Sequence, residues 1–153
     1  MELWAGIIAV IGTLLGAVSS HVLQSRTADR MRSAALDAEG RRELRQATAR
    51  LLAAETVFRR LQYDRWGLRE APPTEREAGT AVALQARSDV IAALAEVRLL
   101  TGDTEIRRRL DELADATFTL HKAADADDLA ARSLRTRDAA SALVEAVGRR
   151  VRA

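Results

Sequence analysis

A chain of 153 residues carrying 24 Lys and Arg, 22 Asp and Glu and a formal charge of +2 has room for one modest domain. The absence of cysteine excludes disulfides, thiolate catalysis and thiolate-bound zinc, and agrees with a reducing compartment. Two prolines, eight glycines and 3% aromatic residues, set against abundant Ala, Leu, Arg and Glu, describe helices and not sheets.

The first element is the run "LWAGIIAVIGTLLGAVSSHVLQSR", in which no charged residue occurs from Leu3 through Ser25. A helix of that length crosses a hydrocarbon core about 30 Å thick. A cleaved secretory signal would open with Lys or Arg and carry a shorter apolar region, whereas this chain opens Met1-Glu2. Gly6 to Ala17 lacks the polar face of a soluble core helix, so the spacing predicts a retained transmembrane helix over residues 1–25. Arg26, Arg30 and Arg32 follow the span and nothing basic precedes it, which places the remaining chain in the cytoplasm and the short N-terminus outside the cell membrane. Trp4 then anchors the far interface, and the three arginines the near one. Gly12, Gly16 and Ser20 fall four apart on one face, a small-residue pattern that lets two backbones approach and predicts a homo-oligomer. His21 beside two serines reads as a solvated interfacial histidine.

Residues 26–43 read as a helical stalk with Gly40 as a soft point, and residues 44–153 as a cytoplasmic bundle of three to four antiparallel helices. In the first bundle helix Leu44, Ala47, Leu51, Ala54, Phe58 and Leu61 alternate three and four apart, a packed or coiled-coil-like seam ending near Trp66-Gly67. "EAPPTERE" is a turn in which Pro72 and Pro73 end one helix, while Thr74 and Glu77 suit a capping box for the next. That helix runs from about Glu75 to Leu100, with Ala83, Ala86, Val90, Leu94 and Val97 on its core side and Leu84 and Ile91 widening the stripe. Gly102 is expected in a left-handed conformation and Asp103 as the cap of a third helix bearing Ile106, Leu110, Leu113, Thr117, Leu120 and Ala124. Asp125 or Asp127 caps a last helix through Leu129, Ala140, Leu143, Val147 and Val151.

Residue chemistry offers little for catalysis. His121 is the only histidine after the apolar run, and no serine stands in a strand-turn-helix elbow. "GTLLGAVSS" lacks the Lys that ends a phosphate-binding loop. His121 and Asp125 are a thin set for a metal, so no cofactor is expected, and His121 reads as a partly buried group near a helix end. The isoelectric point of about 9.9 looks basic, but acids and bases interleave as on a salt-bridged helical surface. Arg107, Arg108 and Arg109 face Asp111, Glu112 and Asp115 one turn on, and Arg149, Arg150 and Arg152 suit a helix C-terminus, so nucleic acid is disfavoured as a partner. Tyr63, Arg65, Trp66 and Arg69 gather aromatic and Arg residues of the kind enriched at protein contacts, and form the candidate surface for a protein partner.

The opening "LWAGIIAVIGTLLGAVSSHVLQSRTADR", the middle "AALAEVRLLTGDTEIRRRLDELADATFTLHKAAD", with its segments "VRLLTGD" and "ATFTLH", and the closing "RDAASALVEAVGRR" resemble the small KilB-like membrane proteins of streptomycetes. The Arg and Ala bias, with Lys122 the one lysine, reads as coding preference of a GC-rich actinobacterial genome. The resemblance implies a membrane accessory of plasmid spread between mycelial compartments, with no catalytic residues to carry over. The expected protein is therefore a non-enzymatic scaffold, in contact with membrane lipid, that self-associates and recruits a protein partner. The competing reading is a membrane-bound regulatory or immunity-like inhibitor, or a phage-defence component, that binds one partner through the Trp66 end.

Overall fold

The computed structural model describes the backbone of residues 2–152 and the side chains of residues 30–152. In chain order the elements are α1 (Glu2–Gly67), α2 (Pro73–Leu100), α3 (Thr104–Phe118), a single 3-10 turn (Leu120–Lys122) and α4 (Ala126–Arg152). Among the described residues there is no strand, so the all-α expectation holds. The chain divides into two compact units, Met1–Gly40 and Arg41–Ala153. In the first, the side chains from Arg30 to Gly40, Arg30 and Arg32 included, are exposed, and Gly40 lies within α1 without a break in the helix. The side chains of the expected transmembrane span, residues 1–25 with Trp4, Gly12, Gly16 and Ser20, and that of Arg26 after it, lie outside the described residues. Among the described residues no helix is long and apolar enough to cross a membrane.

The second unit is a helical bundle whose directions are fixed by cross-helix contacts. Arg50 of α1 pairs with Glu96 near the end of α2, and Arg98 of α2 with Asp111 of α3. Arg132 of α4 donates to the Thr119 carbonyl just past α3 at 3.3 Å. With connections this short, neighbouring helices must run antiparallel. α3 and α4 pack along each other, and Thr117 of α3 and Ser133 and Thr136 of α4 are small and buried. One core cluster joins all four helices. Leu44, Ala47, Leu51 and Phe58 of the α1 seam are buried, Ala54 and Leu61 partly so, and the five core positions read for α2 are all buried. Burying this apolar face, at about 25 cal/mol per Å², is what holds helices whose propensity alone is insufficient.

Several local expectations are corrected. Leu84 and Ile91 do not widen the α2 core stripe: they are 56% and 47% exposed, and the buried row is Ala83, Ala86, Val90, Ala93, Leu94 and Val97. α2 begins at Pro73 and not at Glu75, and no side chain caps it, so the Thr74–Glu77 capping box does not form. Proline already fits the first helical turn, where its missing N–H has no partner to lose. Gly102 has no positive φ; α2 ends instead on Thr101 in an extended conformation. Asp103 caps α3 as expected, accepting from the Glu105 and Ile106 amides at 2.9 and 3.1 Å. α3 stops at Phe118, so Ala124 is exposed and its neighbour Ala123 takes the buried place. Arg108 and Arg109 each bridge Glu105 and Glu112, and Arg107 donates to the Thr101 carbonyl, so the acid one turn before this triplet, Glu105, serves where Asp115 was expected.

The start of α4 carries a pH-sensitive clamp. Asp125 accepts from the Asp128 amide at 2.7 Å, and Asp128 accepts from the Ala124 amide and from Arg132 Nε, each at 2.9 Å. The Ala124 N–H, then Arg132, hold the Asp128 carboxyl below its ordinary range. A depressed carboxylate adds stability above the unfolded pKa, about 3.9 for Asp, and that gain is lost as pH falls through the folded value. Asp128→Asn should therefore melt below wild type at neutral pH, with the gap narrowing at about pH 3. Thermal melts at the two pH values check this; an equal gap at both would show that the clamp contributes no linkage.

Candidate functional site

The turn after α1 folds back on the start of α2. The Leu68 amide donates to the Asp64 carbonyl at 3.1 Å, and the Ala71 amide to the Leu68 carbonyl at 3.1 Å. Gly79 makes room for this return, since a Cβ there would stand 2.9 Å from Leu68 Cδ1. The residues on either side of the Pro72-Pro73 turn are thereby brought to one end of the bundle. The 3-10 turn and the start of α4 close the same end, because Arg69 Nη2 donates to the Ala123 carbonyl at 3.2 Å.

A cavity of about 300 Å³ opens there, lined by Arg65, Trp66 and Arg69 from the α1 end, Arg76 and Thr80 from α2, and His121 from the 3-10 turn. Leu120 and Leu129 form its floor. A second cavity of about 280 Å³ adjoins it, sharing Gln62, Arg65, Thr80 and His121 and adding Arg87. No carboxylate lines either cavity. The Arg69 guanidinium lies over the Trp66 ring, 3.0 Å from its centroid, and Arg87 lies 5.1 Å from the Phe118 centroid. Phe118 meets Phe58 edge to face at 6.2 Å. Arg65 Nη1 donates to Gln62 Oε1 at 3.1 Å. These guanidinium groups are held by aromatic faces and neutral oxygens, so their charge is uncompensated within the lining.

Three of the four expected partner-surface residues, Arg65, Trp66 and Arg69, meet at this cavity; Tyr63 is exposed and stands outside its lining. His121 is exposed and not partly buried, because the 3-10 turn carries it outward while Leu120 points into the core. Arg76, Arg87 and Thr80 were not expected here. The double proline was the available signal for Arg76, since a tight reversal must bring residues at similar distances on either side of it together. The Thr80 hydroxyl donates to its own helix, at the Arg76 carbonyl, 2.8 Å away, and so is not paired with a base. At another place in the unit, Leu52, Val144, Val147 and Arg152 line an apolar groove of about 370 Å³, and Arg149 and Arg150 are exposed.

A family model described as KilB plasmid transfer protein matches residues 45–151. The chain belongs to that family. The KilB match spans α2, α3, α4 and the bundle part of α1, so the cavity at the Trp66 end lies wholly inside the family region. Neither the curated proteins nor the solved structures include a match to the chain. The family match ties the chain to plasmid transfer.

Proposed function

We propose that this KilB-family protein is a non-enzymatic, membrane-anchored accessory of plasmid spread between mycelial compartments, which holds a protein partner at the bilayer through the Trp66 end of its bundle. The family match carries the transfer role. The anchor is supported by the uncharged run Leu3–Ser25 and the arginines that follow it, and self-association by the spacing of Gly12, Gly16 and Ser20. A binding role is favoured over catalysis because the cavity has cations and an aromatic face but no carboxylate and no nucleophile joined to a base.

The test is complementation. A transfer plasmid lacking this gene should enter recipients but spread poorly through the mycelium, and the full chain should restore spread. The same chain with Gly12→Leu and Gly16→Leu should give a weaker dimer signal in a membrane-association assay and restore spread incompletely. Normal spread without the gene rejects the transfer role. An unchanged dimer signal rejects the glycine face. Crosslinking from the Trp66 end to a single toxin or enzyme, in place of transfer proteins, would favour the inhibitor reading.

A further inference from the structure

The lining of the cavity at the Trp66 end carries cations and no acid. At the other end of α2, around Thr101, several arginines are matched by acids: Arg50 with Glu96, Arg98 with Asp111, Arg108 with Glu105 and Glu112. At the Trp66 end Arg65, Arg69 and Arg76 share one cavity, Arg87 stands in the adjoining one, and no acid enters the lining of either. Guanidinium groups gathered around one space repel one another, and the arrangement is relieved when an anion enters.

We propose that this cavity binds the phosphate group of a small phosphomonoester. The donors converge from separate elements: the α1 end supplies Arg65 and Arg69, α2 supplies Arg76, and the 3-10 turn supplies the His121 imidazole. Two of the forks are positioned before any ligand arrives. Arg69 is fixed between the Trp66 ring and the Ala123 carbonyl, and Arg65 by Gln62. Gln62 is 95% buried by its 5% exposure, and with its oxygen accepting from Arg65 its amide nitrogen remains as a donor at the cavity wall. Thr80 adds no donor, since its proton is engaged by the Arg76 carbonyl.

A carboxylate is planar and singly charged, so it would neutralise one of three guanidinium groups. A phosphomonoester carries about −1.5 to −2 at neutral pH on three acceptor oxygens, which suits a cavity lined by three guanidinium forks. The volume of about 300 Å³ is roughly that of ten liquid waters, more than a bare phosphate needs and at the small end of ligand sites. It admits the phosphate with a small organic part, and not a folded domain or a duplex. The phosphate source is a soluble ester or a lipid headgroup of the same chemistry.

The inference rests on the Trp66 end being the working surface of the protein. It is tested with the full chain in phosphatidylcholine nanodiscs, titrated with glycerol 3-phosphate and followed by calorimetry and phosphorus NMR. Saturable binding is expected, weakened about tenfold by Arg76→Gln, an exposed position that leaves the core intact, and unchanged by Arg150→Gln on the exposed end of α4. Arg65→Gln should weaken it as well. Adding phosphatidic acid to the nanodiscs distinguishes the sources: retained binding of the soluble ester identifies a free phosphate compound, and lost binding identifies the headgroup. Absence of saturable binding, equal affinity in Arg76→Gln, or tighter binding of succinate or an acidic peptide overturns the assignment. Failure on any of these counts is separable from failure of complementation, which is scored without added phosphate.

Discussion

Leu110→Ala is expected to remove about 3 kcal/mol of stability and lower the melting temperature by roughly 12 °C. Leu110 has no exposed surface and lies on α3, the helix that packs against both α2 and α4. Its neighbours along the same face, Ile106, Leu113 and Thr117, are also fully enclosed. Helix backbones joined by short turns do not collapse into the space left by three missing carbons, so the cavity term adds to the lost transfer energy. Leu99→Ala is the control: Leu99 is 87% exposed, and its truncation should change stability by less than about 0.5 kcal/mol. Thermal and urea unfolding followed by far-UV circular dichroism measure both. A Leu110→Ala melt within about 2 °C of wild type would mean that α3 is not the centre of the core.

Arg59→Ala should cost a similar amount, about 3 kcal/mol, for an electrostatic reason. Glu55 is 2% exposed on α1, and Arg59 Nε, one turn on, donates to its Oε1 at 2.9 Å. Among the described residues the other hydrogen bond to that carboxylate comes from the Thr56 hydroxyl at 3.5 Å, too long to replace a guanidinium. Removing Arg59 leaves a buried carboxylate without a counter-charge, which costs far more than the pair contributed. The double variant Glu55→Gln with Arg59→Met should recover most of the loss, because it removes the charge together with its partner. A double-mutant cycle in urea reads the coupling directly. If Arg59→Ala costs less than about 1 kcal/mol, Glu55 has found water or another partner, and the pair is a surface feature.

That pair also marks where sequence patterning stopped being informative. The apolar seam of α1 was readable because Leu44, Ala47, Leu51 and Phe58 recur at helical spacing. Thr48, Glu55 and Gln62 recur every seven residues on the same helix and are buried just as deeply. Polar residues at such positions look solvated in a sequence; only the proximity of the other helices shows that they are enclosed. The reverse error occurred on α2, where Leu84 and Ile91 had the right spacing for a core but stand exposed beside the buried row. At the site, Arg65, Trp66 and Arg69 could be grouped because they are close in the chain. Arg87 and His121 could not, since only the closing of the bundle end brings α2 and the 3-10 turn to the same cavity.

The sequence by itself determined the all-α class, the turn at Pro72-Pro73, the cap at Asp103 and most of the apolar residues that form the core, while the choice of Asp125 over Asp127 as the cap of α4 came from the structure. These follow from local chemistry: helical periodicity, the missing N–H of proline and the short acceptors that satisfy free amides. The tertiary structure decided which acids meet which arginines, which polar groups lose water, and that the arginines at the Trp66 end share a cavity with no carboxylate. Those outcomes depend on distances across helices, and a helical repeat records which face a residue occupies without recording what lies opposite it.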